Sequence, residues 1–221
     1  VNDTFTPRHT GPRREIAPGA HHVPGWLTLS QQAFIVEQFK EWASGPVPLH
    51  SPKVRGHEMS VELLCLGWHW QPYKYTRVAT DVNGQPVAPL PQWLIELGQQ
   101  ALNDASPHLG DGAEYLPDTA LVNYYRHGAC MGMHQDKDEA SLAPVVSLSI
   151  GDTCQFRFGN TTTRNKPHQD LELASGDLFV FGGPSRLAFH GVTKIIPGTA
   201  PQGCGLTAGR INVTLRMTGI A

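Results

Sequence analysis

His134-Gln135-Asp136 places an imidazole and a carboxylate two residues apart. In an extended chain residues i and i+2 point to the same face, so the two side chains can close on one ion. A third donor must come from a distant segment. His190, within Arg186-Leu187-Ala188-Phe189-His190-Gly191, is the candidate. Two imidazoles and one carboxylate on one face of a metal form the facial triad of non-haem Fe(II) oxygenases, with positions left open for a co-substrate and oxygen. The same spelling recurs at His168-Gln169-Asp170. There it follows Thr161-Thr162-Thr163-Arg164-Asn165-Lys166-Pro167, which reads as loop, whereas His134 ends an alternating stretch. His134, Asp136 and His190 are therefore the expected metal ligands, and His168 reads as a surface histidine at a strand entry.

A second constellation lies near the C-terminus. Along residues 210–217, Ile211, Val213, Leu215 and Met217 fall on one strand face, and Arg210, Asn212, Thr214 and Arg216 on the other. A solvated face accounts for two arginines without further help. The inward alternative needs an anion, because a buried arginine must be paired, and a small dicarboxylate would serve. Asn123-Tyr124-Tyr125 offers an amide and a phenol on one face of another strand as extra donors.

These side chains need a rigid frame. Short β-type runs at 119–126, 129–136, 144–150, 153–158, 170–174, 177–181, 186–192 and 209–217 are separated by turn residues. Their spacing suggests an antiparallel sandwich or barrel. Ahead of them, Ala33, Val36, Phe39 and Ala43 mark a helix over 30–43, and Leu94, Leu97 and Ala101 mark one over 91–104, with Pro91 suited to its first turn. Residues 59–66 read as a strand and 45–57 as loop. Helices that precede the strands give an α+β class, with helices backing one sheet. Residues 1–25, with Pro7, Pro12, Pro18, Gly19 and Pro24, read as an irregular arm, and 26–221 as a single catalytic domain.

The 221 residues fit one domain, and 40% hydrophobic against 16% charged residues argues for a packed core over a disordered tail. Apolar runs fall far short of the roughly 20 residues of a membrane span. The polar, proline-punctuated start does not read as a secretory signal, and Cys65, Cys130, Cys154 and Cys204 lie far apart without a Cys-x-x-Cys. A zinc ribbon and a small disulfide scaffold are thereby disfavoured. The expectation is a monomer in a reduced, cytoplasmic setting, with no membrane partner. A net charge of −2 gives no global footprint for nucleic acid, so any such binding must use a local patch.

Taken together, Leu121-Val122-Asn123-Tyr124-Tyr125, His134-Gln135-Asp136-Lys137-Asp138-Glu139 and Arg210-Ile211-Asn212-Val213-Thr214-Leu215-Arg216 resemble the AlkB family of Fe(II)/2-oxoglutarate-dependent nucleic-acid dealkylases. Val145-Val146-Ser147-Leu148-Ser149-Ile150-Gly151 and Ser185-Arg186-Leu187-Ala188-Phe189-His190-Gly191 fit between them in the family's order. The likeness spans roughly residues 55–217, is closest to the bacterial AlkB type, and is far more specific as an ordered set than in any one piece. It implies a double-stranded β-helix (jelly roll) over 119–217, supported by the N-terminal helices, with a β-ribbon nucleotide-recognition lid over 47–80. It implies Fe(II) on His134, Asp136 and His190, with 2-oxoglutarate and O2 as co-substrates. Arg210 would hold the distal carboxylate of 2-oxoglutarate, Asn123, Tyr125, Asn212 and Arg216 would complete that pocket, and Arg216 would sit near the chelating carboxylate. Tyr124 stands where the family commonly has arginine. On a strand that side chain faces away from its neighbours, so little effect on the co-substrate is expected.

The implied reaction is oxidative demethylation of alkylated DNA, or RNA, at bases such as 1-methyladenine and 3-methylcytosine, releasing formaldehyde, succinate and CO2. Implied substrate contacts are Met59, Trp68, Tyr73, Tyr75, Asp138 and Arg164. Trp68 would stack on a flipped base with His134 on its other face, gaining roughly 0.5–2 kcal/mol of cation–π attraction from a cationic base. Asp138 would complement that charge. Some of Trp68, Trp70, Tyr73 and Tyr75 must be packing aromatics. Lys53, Arg55, Lys74 and Arg77 form one basic cluster, and Arg157, Arg164 and Lys166 another. The rival functions are a 2-oxoglutarate oxygenase acting on tRNA or another substrate, and a catalytically silent nucleic-acid binder.

Overall fold

Alternating apolar and polar residues build two facing sheets in the computed structural model, which describes residues 12–220. The larger sheet has seven strands in the order β1 (Arg14–Ala17), β2 (Ala20–Val23), β13 (Leu178–Phe181), β10 (Val145–Gly151), β15 (Arg210–Arg216), β8 (Thr119–Tyr125) and β5 (Glu62–Leu66). The smaller has four, β12 (His168–Leu173), β11 (Thr153–Gly159), β14 (His190–Ile196) and β9 (Met131–His134). All pairs in both sheets are antiparallel. Two short ribbons, β3 (Lys53–Val54) with β4 (His57–Glu58) and β6 (His69–Gln71) with β7 (Lys74–Thr76), lie apart from them.

Helix α1 (Leu29–Ala43) opens on a capping box. Gln31 N–H donates to Thr28 Oγ1 at 3.3 Å and Thr28 N–H donates back to Gln31 Oε1 at 2.8 Å. Helix α2 (Gln92–Ala105) begins directly after Pro91. Ile35 and Val36 of α1 and Leu94, Leu97 and Leu102 of α2 share one core with Val146, Leu148, Ile150, Ile211, Val213 and Leu215. The helices therefore consume the apolar face of β10 and β15. The polar face of β15 has to turn the other way, into the gap between the sheets. That gap is filled by Tyr125, Val145, Phe156, Phe158, Phe179 and Phe181. This is the double-stranded β-helix, with helices on one side only.

Four expectations are corrected. Residues 14–23, read as irregular arm, form the β1–β2 hairpin, with β2 pairing Ala20 to Phe181 and Val23 to Leu178. Pro18-Gly19 is its turn, with Gly19 at φ +78°, and strands of four residues are too short to show a period. Residues 1–11 lie outside the described residues. The strand expected over 186–192 begins only at His190. Arg186 turns inward instead, donating to the carbonyls of Ala143 and Asp136 at 2.7 and 2.6 Å. The expected loop over 45–57 contains β3 and reaches β4, and the strand expected from residue 59 starts at Glu62. No helix among the described residues is long and apolar enough to cross a membrane.

Candidate metal centre and its pocket

His134 and His190 are directly opposed across the β9–β14 pair, and their ring centroids are 4.5 Å apart. Gly191 permits this approach, because a Cβ there would stand 2.5 Å from the Met131 carbonyl oxygen. Asp136 follows two residues after His134, just past the end of β9, so the i, i+2 relation survives. The ligand atoms of His134, Asp136 and His190 all lie within 4.8 Å of one another. Each imidazole Nδ1 sits beside a carbonyl two residues back, Gly132 O at 2.9 Å and Ala188 O at 3.0 Å. A carbonyl only accepts, so both Nδ1 atoms carry the proton and both Nε2 atoms present a lone pair. Those Nε2 atoms are 3.6 Å from Asp136 Oδ1 and Oδ2 respectively. Buried Asp136 Oδ2 accepts no hydrogen bond, although Arg216 Nη2 stands 2.9 Å from it, off the hydrogen-bonding direction. Two imidazole lone pairs and a buried, incompletely satisfied carboxylate are the donor set that Fe(II) takes. His168, at the start of β12, is not part of this group.

The charges are set for ligation. Burial alone would raise the Asp136 pKa, but Arg216 first, then His190 and His134, hold it well below the usual carboxylate range. Burial opposes the Arg216 cation too, and Asp136, Tyr75 and Glu139 outweigh it. Burial pushes His190 down from 6.5 to about 4, more than the attraction of Asp136 can restore. At neutral pH the centre thus holds a neutral His190 imidazole and an ionised carboxylate, the states that bind metal. A folded-state pKa below the unfolded one means that the unfolded chain takes up the extra proton first. The stability His190 contributes is complete above pH 6.5 and is lost as pH falls toward about 4. The urea midpoint of the metal-free protein is expected to fall across that window, and His190→Gln is expected to make the fall shallower.

A second set of polar groups faces the same interior. Register pairs Arg210 with Tyr125 and Asn212 with Asn123 across β15 and β8, so all four share one face. Arg210 is 1% exposed. Its guanidinium donates to Ser149 Oγ at 2.7 Å and to the Leu173 carbonyl at 3.1 Å, and its Nε has no partner. Among the described residues it makes no ion pair. A buried guanidinium with only neutral acceptors is a receptor for an anion. Asn212 is held by Ser147 Oγ and the Leu148 carbonyl at 2.7 and 3.0 Å, while the Tyr125 hydroxyl meets only the weakly accepting Met131 sulfur at 3.8 Å. Tyr124 points to the helix side, its ring 5.6 Å from that of Phe39.

Glu139 and Arg186 escaped the sequence reading. Glu139 receives Arg216 at 2.8 Å, Arg186 at 3.1 Å and the Tyr75 hydroxyl at 2.5 Å, all buried. This network locks Arg216 beside Asp136. Asp136-Lys137-Asp138-Glu139 reads as a solvated acidic run, and only its position beside Asp136 could have hinted otherwise.

A cavity of about 510 Å³ leads out from the triad. It is lined by Met59, Trp70, Tyr73, Asp138 and Arg164, as well as by Asn123, Tyr125, Arg210, Asn212 and Arg216. Trp68 and Tyr75 do not line it, which corrects two expected substrate contacts. Trp68 is 8% exposed, packs with Leu63, Cys65 and Leu121, and lies under the Arg77 guanidinium at 3.6 Å. Its Nε1 donates to Asp118 at 3.1 Å. The reason is Gly67, whose φ of +79° turns the chain between β5 and β6 and drops Trp68 into the core. Trp70, on β6, takes the pocket position. Tyr75 is tied beneath by Glu139. Two of the basic residues are also committed elsewhere, Arg77 to Trp68 and Arg157 to Asp170 at 2.7 Å.

Residues 19–216 match the model of the 2OG-Fe(II) oxygenase superfamily, so the fold and site are those of a dioxygenase that uses Fe(II), 2-oxoglutarate and O2. The chain is 40% identical over 206 residues to the alpha-ketoglutarate-dependent dioxygenase AlkB homolog of Caulobacter vibrioides, covering 91% of this chain and 88% of that one. It is 34% identical to the DNA N(6)-methyladenine demethylase ALKBH1D of Arabidopsis thaliana, over 91% of this chain and 50% of the relative. The solved structure of OsALKBH1 superposes with a TM-score of 0.83 at 32% identity, covering 93% of this chain and all of that one. Within the superfamily the chain belongs to the AlkB family, near its bacterial type.

Proposed function

We propose that this dioxygenase demethylates alkylated bases in DNA or RNA, with 1-methyladenine and 3-methylcytosine as substrates. The observation that carries the reading is one cavity that joins the triad to Trp70, Tyr73 and Asp138. An aromatic pair suits a base taken out of the stack, and a carboxylate suits one that methylation has made cationic. Tyr73 strengthens it. The ring is 61% exposed and its backbone holds φ 73°, a left-handed conformation that costs a tyrosine roughly 1–2 kcal/mol. Arg55, at φ 52° in the other ribbon turn, lines the same cavity. We assign residues 47–80 as the lid, with its two ribbon turns and Arg164 lining one cavity, where Arg164 meets phosphate. The names of the AlkB-family relatives, a DNA N(6)-methyladenine demethylase and a tRNA demethylase among them, support demethylation of nucleic acid.

In this reading His134, Asp136 and His190 hold the iron. Arg210 takes the far carboxylate of 2-oxoglutarate, Asn123, Tyr125 and Asn212 supply polar contacts along it, and Arg216 stands at its metal end. The bound iron, with 2-oxoglutarate and O2, supplies oxidation of the N-methyl group, giving formaldehyde, succinate and CO2. The protein's share is position and charge. The test is formaldehyde release from methylated oligonucleotides, single and double stranded, DNA and RNA, with N6-methyladenine and methylated tRNA in the same panel. Release from 1-methyladenine and 3-methylcytosine supports the proposal. Release confined to N6-methyladenine or tRNA moves the substrate, and none from any member leaves an oxygenase of another substrate class.

The two tryptophans separate. Trp70→Ala is expected to reduce methylated-base turnover roughly 10- to 100-fold, as loss of a stacking face worth about 1–3 kcal/mol. Decarboxylation of 2-oxoglutarate without nucleic acid should fall far less. Trp68→Ala removes a packed side chain, so it is expected to lower the melting temperature and reduce both activities together.

A further inference from the structure

We propose that Asp138 orients Trp70, so that the residue that answers the charge of the base also fixes the plane on which it stacks. This rests on the base-demethylation reading above. Trp70 Nε1 donates to Asp138 Oδ2 at 2.8 Å, and both residues line the cavity that holds His134. A charge-assisted bond from the edge of an indole restrains the rotation of its ring, which stacking alone leaves loose. Asp138 is itself well anchored. It lies between Asp136, a residue of the triad, and Glu139, whose carboxylate is gripped by Arg186, Arg216 and Tyr75. The path from the indole to the metal centre is thus one hydrogen bond and two peptide units. The other end of the ring's support is β6, where Trp70 pairs with Tyr75 and its backbone N–H meets Cys65 Sγ at 3.4 Å. Among the described residues Asp138 Oδ1 accepts no hydrogen bond, so one oxygen serves the indole while the other remains for the base.

The two roles come apart on substitution. Asp138→Asn keeps an acceptor for the indole and loses the charge. Asp138→Ala loses both. Trp70→Phe keeps a stacking face and loses the donor. A base whose stacking plane is loose should present its methyl group less often, so that 2-oxoglutarate is consumed without demethylation. The readout is therefore the ratio of formaldehyde to succinate, taken with kcat/KM, on a 3-methylcytosine oligonucleotide. Asp138→Asn and Asp138→Ala are both expected to lower kcat/KM by about tenfold or more. The ratio should drop severalfold in Asp138→Ala and Trp70→Phe, and Asp138→Asn should recover most of it. Adding Asp138→Ala to Trp70→Phe should lower the ratio no further. A ratio as low in Asp138→Asn as in Asp138→Ala, or one unchanged in Trp70→Phe, overturns the orienting role while the wild type remains a demethylase. A wild type that releases no formaldehyde from any methylated oligonucleotide overturns the base-demethylation reading first, and this inference with it.

Discussion

Alanine at any one of His134, Asp136 and His190 is expected to bring turnover to background while the chain still folds. The argument is geometric before it is chemical. The two histidines are opposed across β9 and β14, and Asp136 closes the face between them. Three donors are few for a metal, and removing one leaves two, with lower affinity and a position open to water. Neither sheet depends on these side chains. The β9–β14 pair is made by backbone bonds, and the packing between the sheets is aromatic and aliphatic, from Phe156, Phe158, Phe179 and Phe181. In Asp136→Ala the buried Arg216 loses one carboxylate and keeps Glu139 at 2.8 Å, so its charge is not stranded. The measurements are succinate formation, anaerobic Fe(II) titration, and circular dichroism on each variant. Full turnover in any of the three would remove that residue from the centre. His168→Ala carries the same local spelling outside the site and is expected to match the wild type.

That recurrence shows what sequence can and cannot decide. A His-x-Asp spelling says that two side chains can meet, and the pairing of β9 with β14 says which of two spellings finds a third donor. The strands themselves were legible because their alternation is local. Which face of β15 turns inward was not, because alternation defines two faces without naming the core. The choice is made by α1 and α2, which cover Ile211, Val213 and Leu215 and leave Arg210, Asn212 and Arg216 to the interior. Trp68 and Trp70 differ for a similar reason. Both belong to one aromatic run, and a turn at Gly67 sends the first into the core and leaves the second on the ribbon. Glu139 was hidden by its charge. A carboxylate in an acidic run reads as solvated until the two arginines that pair with it, 47 and 77 residues further on, are brought beside it.

Arg210→Ala is expected to raise the KM for 2-oxoglutarate roughly 10- to 100-fold, the loss of a charge-assisted bond worth about 1.5–3 kcal/mol. Burial makes the case. A surface arginine would be screened and replaceable, but this one is buried at the wall of the cavity, with Ser149 Oγ and the Leu173 and Asp152 carbonyls as acceptors and an unpartnered Nε. An uncompensated cation in such a place is costly, and a dicarboxylate that reaches it removes the cost. Two further results follow. Because the guanidinium is buried and so little screened by salt, the KM effect should persist at high ionic strength. Because the anion binds only the folded chain, 2-oxoglutarate should raise the melting temperature of the wild type and raise that of Arg210→Ala much less. Arg210→Lys should fall between, since it keeps the charge and loses the planar fork. Arg216→Ala provides the contrast. That guanidinium is already paired with Asp136 and Glu139, so its loss should disturb iron affinity as well as co-substrate binding, whereas Arg210→Ala should leave the Fe(II) titration in place. An unchanged KM in Arg210→Ala, with the same thermal shift as the wild type, would place the far carboxylate elsewhere in the cavity.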